Sequence, residues 1–311
     1  MNPIYLVAGI AAAFAAIGAF VVASKRSRRP ISSFADRFDI AELVKRLDVP
    51  ENELCSHVPG YREATIPKRS GGVRNLLIPD DATKFLQRRI NQRLLRRLDA
   101  HPLACGFEED TSIVDAAIPH VCRDVVIRVD IENFFESTTA ERLHNYFIDI
   151  GWKNEAAALL VKLTTHNGHL PQGAPTSPRL SNLVNAPLDS VLLALARKYA
   201  GAYSRYADDI TMSFGPLKGP RVRRIIQLIG RRLKPFGYRL NHRKTRIRRR
   251  HQKQLVLGLV VNDQVAIPRK TRRWLRAVRH RMSSGKPTTL TEAQLEGWTA
   301  FEAMVERQRD S

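Results

Sequence analysis

Three hydrophobic patterns divide the chain. The first is an unbroken apolar run over residues 4–23, Ile-Tyr-Leu-Val-Ala-Gly-Ile-Ala-Ala-Ala-Phe-Ala-Ala-Ile-Gly-Ala-Phe-Val-Val-Ala, without one charge. As a helix rising ~1.5 Å per residue it covers about 30 Å, the thickness of a bilayer core. Only Met1, Asn2 and Pro3 precede it, whereas Lys25, Arg26, Arg28 and Arg29 lie just after it. A secretory signal carries its positive charges in front, so this order favours a retained anchor. A buried core helix is rarely so Ala-rich, so uniform and so terminal. The positive-inside rule keeps the basic flank in the cytoplasm and sends the N-terminus outside.

The second pattern is helical. Phe34, Phe38, Ile40, Leu43, Val44 and Leu47 recur at helix-like spacing and Pro50 ends the series, predicting a short amphipathic helix packed against the adjoining domain. From Tyr61 onward the third pattern alternates short strands with helices. Extended stretches at 61–67 and 73–79 flank Lys68-Arg69-Ser70-Gly71-Gly72, a hairpin turn. Residues 84–98 predict a basic helix with Phe85, Ile90, Leu94, Leu95 and Leu98 on its apolar side. Val-Val-Ile-Arg-Val-Asp-Ile at 125–131 reads as a buried strand ending in Asp130. Residues 203–214 read as two strands around a tight turn holding Asp208 and Asp209. The stretch 168–182 holds Pro171, Pro175 and Pro178, and Ser177-Pro178 starts a helix with Leu183, Val184, Leu188, Val191, Leu192 and Leu195 on its apolar face. A basic helix at 270–282 carries Trp274, Leu275 and Val278. Thr291-Glu292-Ala293-Gln294 is a capping box before a last helix whose Leu295, Trp298, Phe301 and Met304 read as core. No internal repeat appears.

Composition narrows the class. In 311 residues, 43% are hydrophobic and 26% charged, which is globular and excludes collagen-like, coiled-coil and disordered chains. The net charge of +21 and pI near 10.6 point to a polyanionic partner, nucleic acid or an acidic membrane surface. Residues 221–253 hold fourteen Lys and Arg and no acid, a run suited to phosphates and to steep salt dependence. Cys55, Cys105 and Cys122 form no C-x-x-C pair, which excludes a disulfide scaffold or zinc ribbon and fits a reducing compartment.

The chemistry lies in the carboxylates. An apolar strand that delivers Asp130 places a charge where burial is costly. Asp208 and Asp209, adjacent on a turn between apolar strands, repel each other unless a cation intervenes. Three carboxylates so placed suit a two-metal phosphoryl-transfer site, with ions about 3.5–4 Å apart. The basic hairpin has two readings by itself, a phosphate cradle or a solvated turn.

Taken in order, Asp130 with Phe134-Phe135, Leu170-Pro171-Gln172-Gly173, Tyr206-Ala207-Asp208-Asp209, Asn241-His242-Arg243-Lys244-Thr245 and Leu257-Gly258-Leu259-Val260-Val261-Asn262 resemble a reverse transcriptase. The resemblance covers about residues 61–262. It implies an α+β right-hand polymerase of fingers, palm and thumb, here preceded by the single transmembrane helix. It implies that Asp130, Asp208 and Asp209 bind two Mg²⁺, and that Phe135 is the steric gate against a ribonucleotide 2′-OH, with Phe134 in the core. Gln172 and Gly173 are then expected to line the pocket for the incoming nucleotide, with Lys68 and Arg74 on its triphosphate. Lys244 matches the candidate general acid for pyrophosphate departure, and a phosphate-tracking role stands equally open. The size, the Tyr-Ala-Asp-Asp turn and Phe134-Phe135 are most similar to bacterial retron-type enzymes. Ala116-Ala117-Ile118-Pro119-His120 keeps the Ala and His of a retron stretch in which Asn is usual first, and Val256-Leu257-Gly258 has Leu where Thr is usual. His120 reads as a packed helix residue or as an RNA contact.

The resulting expectation is a membrane anchor at 1–24, a basic linker and helix at 25–60, fingers and palm at 61–262 and a helical thumb at 263–311. The expected partners are a structured template/primer RNA, its DNA product, dNTPs and the membrane, with an effector protein unidentified. The expected place is the bacterial inner membrane, with the polymerase in the cytoplasm, and the expected setting is anti-phage defence through RNA-linked single-stranded DNA. The alternatives are a group II intron-like or other defence-associated reverse transcriptase, a nucleic-acid-binding protein without catalysis, and a membrane effector with a polymerase-fold sensor.

Overall fold

The computed structural model describes residues 37–67, 71–109 and 111–310. The expected anchor at 4–23, its basic flank, Phe34 and Lys68 lie outside the described residues. Among the described residues no helix is long and apolar enough to cross a membrane.

Helix α1, Ile40–Leu47, starts where the Asp39 side chain accepts from the Glu42 amide and stops at Asp48 in the left-handed region. Pro50 ends that pattern as expected, but it also opens a second helix, α2, Glu51–Ser56. Phe38 sits outside the helix and packs on Trp152, ring centroids 5.3 Å apart. Strands β1, Tyr61–Pro67, and β2, Val73–Pro79, form the antiparallel hairpin, with Gly71 and Gly72 at positive φ in its turn. Helix α3, Asp81–Arg93, begins three residues earlier than its apolar pattern, because the Asp80 side chain caps the Thr83 amide.

Helix α4, Ile113–Ala117, is succeeded by β3, Val125–Ile131, then α5, Ala140–Asp149, and α6, Asn154–Thr164. The helix expected from Ser177 is two helices, α7, Ser177–Val184, and α8, Ala186–Lys198. Pro187 has no amide to continue the first, so the chain restarts at Asn185. Strands β4, Ala202–Tyr206, and β5, Asp209–Phe214, precede α9, Gly219–Leu233, and β6, Leu240–Arg249. A small hairpin, β7 Leu255–Val256 with β8 Leu259–Val260, leads to α10, Arg269–Ser283, and α11, Glu292–Asp310. The basic run 221–253 therefore builds the sheet and the helix behind it.

Four strands in the order β4-β5-β3-β6, all antiparallel, form the central sheet. Alternation along the strands assigns its faces. Val125, Ile127, Val129, Ile210, Met212 and Phe214 pack with Leu188 and Leu192 of α8 and with Val222, Ile225 and Ile229 of α9. On the opposite face Val126 joins Val114, Ala117, Val256, Leu259 and Val305, so α4, the small hairpin and α11 cover the strands' lower half. The upper half, with Asp130, is left open. A separate cluster of Leu43, Leu47, Leu54, Leu86, Ile90, Phe147 and Leu160 joins α1, α2, α3, α5 and α6. The first helix packs there, as its apolar side predicts.

Candidate active site

The open end of the sheet forms one wall of a cavity of about 760 Å³. Val73, Arg74 and Asn75 of β2 line it opposite Asp130, the loop from Ile131 to Glu136, Tyr206, Ala207, Asp208 and Lys244. The register pairs Asp130 with Asp209 across β3 and β5, and the Ile131 amide donates to the Asp208 carbonyl at 3.0 Å. Ala207 takes φ +53 to make the turn so tight.

The carboxylates are not equivalent. Burial, with Asp130 and Asp209 nearby, pushes the Asp208 carboxyl up to about 6. Asp209 is also raised by burial, but Arg128 opposes the shift, donating from Nε at 3.3 Å and forming an ion pair through its guanidinium. Asp209 does not line the cavity. Asp130, Asp208 and Asp209 are neighbours on this edge of the sheet, but among the described residues no group of three His, Cys, Asp or Glu side chains is gathered as a metal-ion site. The physical cause is Arg128, two residues before Asp130 on the same sheet face, which draws Asp209 to itself. Asp130 is held from the other side, by Lys244 Nζ at 2.8 Å from Oδ2 and by Asn241 Nδ2 at 3.2 Å from Oδ1.

Phe135 is half-buried and lines the cavity, whereas Phe134 is buried and stacks on Tyr238 with ring centroids 5.5 Å apart. Arg74 is exposed on the hairpin wall. Gln172 lines the cavity, and its carbonyl accepts from the Leu77 amide at 2.8 Å. Gly173 does not line it, contrary to expectation. At φ +128 it lets the loop press against β2, where a Cβ would stand 2.8 Å from the Leu77 carbonyl oxygen. His120 is a packed residue: fully buried, its ring nitrogens meet Ser213 Oγ at 2.7 Å and Ser204 Oγ at 2.9 Å, and burial pushes its pKa down to about 3.

Sequence reasoning missed the support beneath the turn. Arg205 is fully buried, and its Nε and Nη2 each donate to Asp189 at 2.7 Å. Its Nη1 donates to Asn182 Oδ1 and to the Ala207 carbonyl, both at 3.1 Å, bracing the residue before Asp208. One signal was present, since Asp189 interrupts the apolar face of α8 and a buried acid requires a partner. Phe107, at φ +65, sets its ring 5.7 Å from Tyr206 and also lines the cavity.

The family described as reverse transcriptase (RNA-dependent DNA polymerase) matches residues 66–261. The chain belongs to that family. Retron Mx65 reverse transcriptase of Myxococcus xanthus is 37% identical, over 79% of this chain and 61% of the relative. Retron Mx162 reverse transcriptase of the same organism is 34% identical, over 79% and 58%. Retron Ec86 reverse transcriptase of Escherichia coli is 31% identical, over 78% and 75%. The chain thus belongs with the bacterial retron-type reverse transcriptases, and it spans 61% and 58% of the two Myxococcus relatives it matches. Its two departures from retron pattern lie away from the cavity. Ala116 is buried, its carbonyl accepting from Ser204 Oγ at 3.0 Å, and Leu257 sits in the β7–β8 turn at φ +48.

Proposed function

We propose that the chain is an RNA-directed DNA polymerase of the retron type that copies a structured RNA into DNA. The observation that carries this reading is the meeting of Asp130, Asp208, Phe135 and Arg74 around one cavity. The donor set suits divalent metal: hard carboxylate oxygens suit Mg²⁺, and burial together with the neighbouring Asp130 and Asp209 disfavours the Asp208 charge more than Lys244 and a backbone hydrogen bond offset it. Lys244 supplies the positive charge at Asp130 in this arrangement. Asp130 and Asp208 would hold the Mg²⁺ ions, with Asp209 joining them only by giving up Arg128. Bound there, the ions would supply charge neutralisation at the attacking and leaving oxygens. Arg74, with Lys68, would grip the triphosphate, Phe135 would lie under the sugar where a 2′-OH does not fit, and Gln172 would border the base. Lys244, released from Asp130, would face the departing pyrophosphate as proton donor or as phosphate contact.

Residues 4–23 would anchor the chain in the bacterial inner membrane, leaving fingers and palm at 61–262 and thumb at 263–311 in the cytoplasm with dNTPs, template RNA and the DNA product. A defence role with an effector partner would accord with the retron likeness. The test is primer extension by the full chain on an RNA template with dNTPs and Mg²⁺. Extension that is absent, or no greater than that of Asp208→Asn, overturns the reading.

A further inference from the structure

A second groove, of about 1240 Å³, lies behind the central sheet, on the side away from Asp130. It runs along α9 and the end of α8. In α9 the apolar residues Val222, Ile225, Ile229 and Leu233 are buried, so the arginines between them must face outward. Lys198, Lys218, Arg221, Arg223, Arg224 and Arg231 line the groove, and all six are exposed. None of them forms an ion pair among the described residues. No acid occurs in the sequence between Asp209 and Asp263 to neutralise them. Six uncompensated cations around one hollow repel one another and create a field that favours a polyanion.

We infer that this groove binds the phosphate backbone of base-paired RNA, at a site separate from the catalytic cavity. The inference rests on the chain's being a nucleic-acid-binding protein but not on its catalytic residues. Helix α9 has 15 residues, so it offers a track of about 22 Å. A duplex presents a rounded phosphate ridge that enters such a hollow, and its regular shape needs no base-specific contact. A planar lipid surface cannot match a concave wall. The exposed large apolar residues that would enter a bilayer, among them Val58, Phe85, Ile118 and Trp274, all lie outside the groove. The sheet and the α8–α9 layer separate the two sites, so one RNA region would be held behind the sheet while another is copied.

The test compares the full-length parent with the triple variant Arg221→Ser, Arg224→Ser, Arg231→Ser, and with the corresponding Arg→Lys triple. A labelled blunt RNA hairpin is titrated at several salt concentrations, and a short annealed primer–template is extended in parallel. Each lost phosphate contact lowers the slope of log K against log salt by roughly 0.9, so the Ser triple should lose about two to three units of slope and bind the hairpin roughly a hundredfold more weakly near ~0.15 M salt. The Lys triple should bind like the parent, and both triples should extend the short primer at the parent's rate. Unchanged hairpin affinity and slope in the Ser triple overturn the inference. So does a Ser triple that loses only its binding to phosphatidylserine-containing vesicles, which would assign the groove to lipid. A parent that binds the hairpin but extends no primer would fail the polymerase reading and leave this one standing.

Discussion

Asp208 stands at the junction of folding and chemistry. Its raised carboxyl pKa means that the folded chain disfavours the charged form, so at neutral pH that charge costs stability. Asp208→Asn should abolish primer extension while RNA binding survives on the basic surface. The same change should stabilise the metal-free protein by about 1–3 kcal/mol at pH 7, read as a higher melting temperature. The gain should be full above about pH 6, where the folded parent is charged, and vanish below about pH 4, where Asp208 is protonated in both states. A lower melting temperature at pH 7 would mean that the carboxylate is a net structural asset. Asp209→Asn should reduce extension less than Asp208→Asn, because Arg128 holds Asp209 outside the cavity. Equal loss in the two variants would make Asp209 an equal participant. Phe135→Ala should admit ribonucleotides in competition against dNTPs, since discrimination there is exclusion of one hydroxyl. Unchanged selectivity would move the gate elsewhere.

At the scale of elements, the cavity depends on contacts between segments far apart in sequence. The loop at Gly173 presses on β2, which carries Arg74, and the Gln172 carbonyl joins that strand's hydrogen bonding at Leu77. A methyl group at Gly173 would collide with backbone and not with a flexible side chain, and φ +128 suits no L residue. Gly173→Ala should therefore raise the KM for dNTP severalfold, with primer–template affinity little changed; steady-state kinetics at saturating primer decides it. The Arg205–Asp189 pair is the corresponding brace between α8, β4 and the Asp208 turn. Removing one partner strands the other as a buried charge, so Arg205→Met should cost about 3–5 kcal/mol in urea unfolding. A cost near zero would mean that Asp189 is readily satisfied without it.

Across the whole molecule, charge and hydrophobicity divide the labour. Basic residues lie around the cavity and behind the sheet, while the long apolar run is confined to residues 4–23. If that run spans the bilayer, high salt or carbonate should leave the full chain in the membrane pellet, because screening releases only electrostatic attachment. Release of the chain by either wash, or digestion of the catalytic region by protease outside intact spheroplasts, would overturn the topology. Deleting residues 1–24 should leave primer extension intact in solution.

The sequence by itself determined strands β1 to β5, the β1–β2 hairpin, the capping box at Thr291 and the order of motifs from Asp130 to Asn262, but not β6, whose basic residues mask its period-two pattern. These are local: period-two alternation, turn residues and caps act within a few positions of each other. A shared site for Asp130 and Asp208 follows from the resemblance of the ordered motifs, and the pairing of β3 with β5 brings the two to one cavity. Only the tertiary structure decided that Asp209 pairs with Arg128, that Gly173 serves the approach to β2, that His120 is core and that Arg221, Arg223, Arg224 and Arg231 of the basic run line a groove away from the cavity. Each of those depends on which residues meet across strands or layers, and a one-dimensional pattern of apolar and polar positions does not encode such partners.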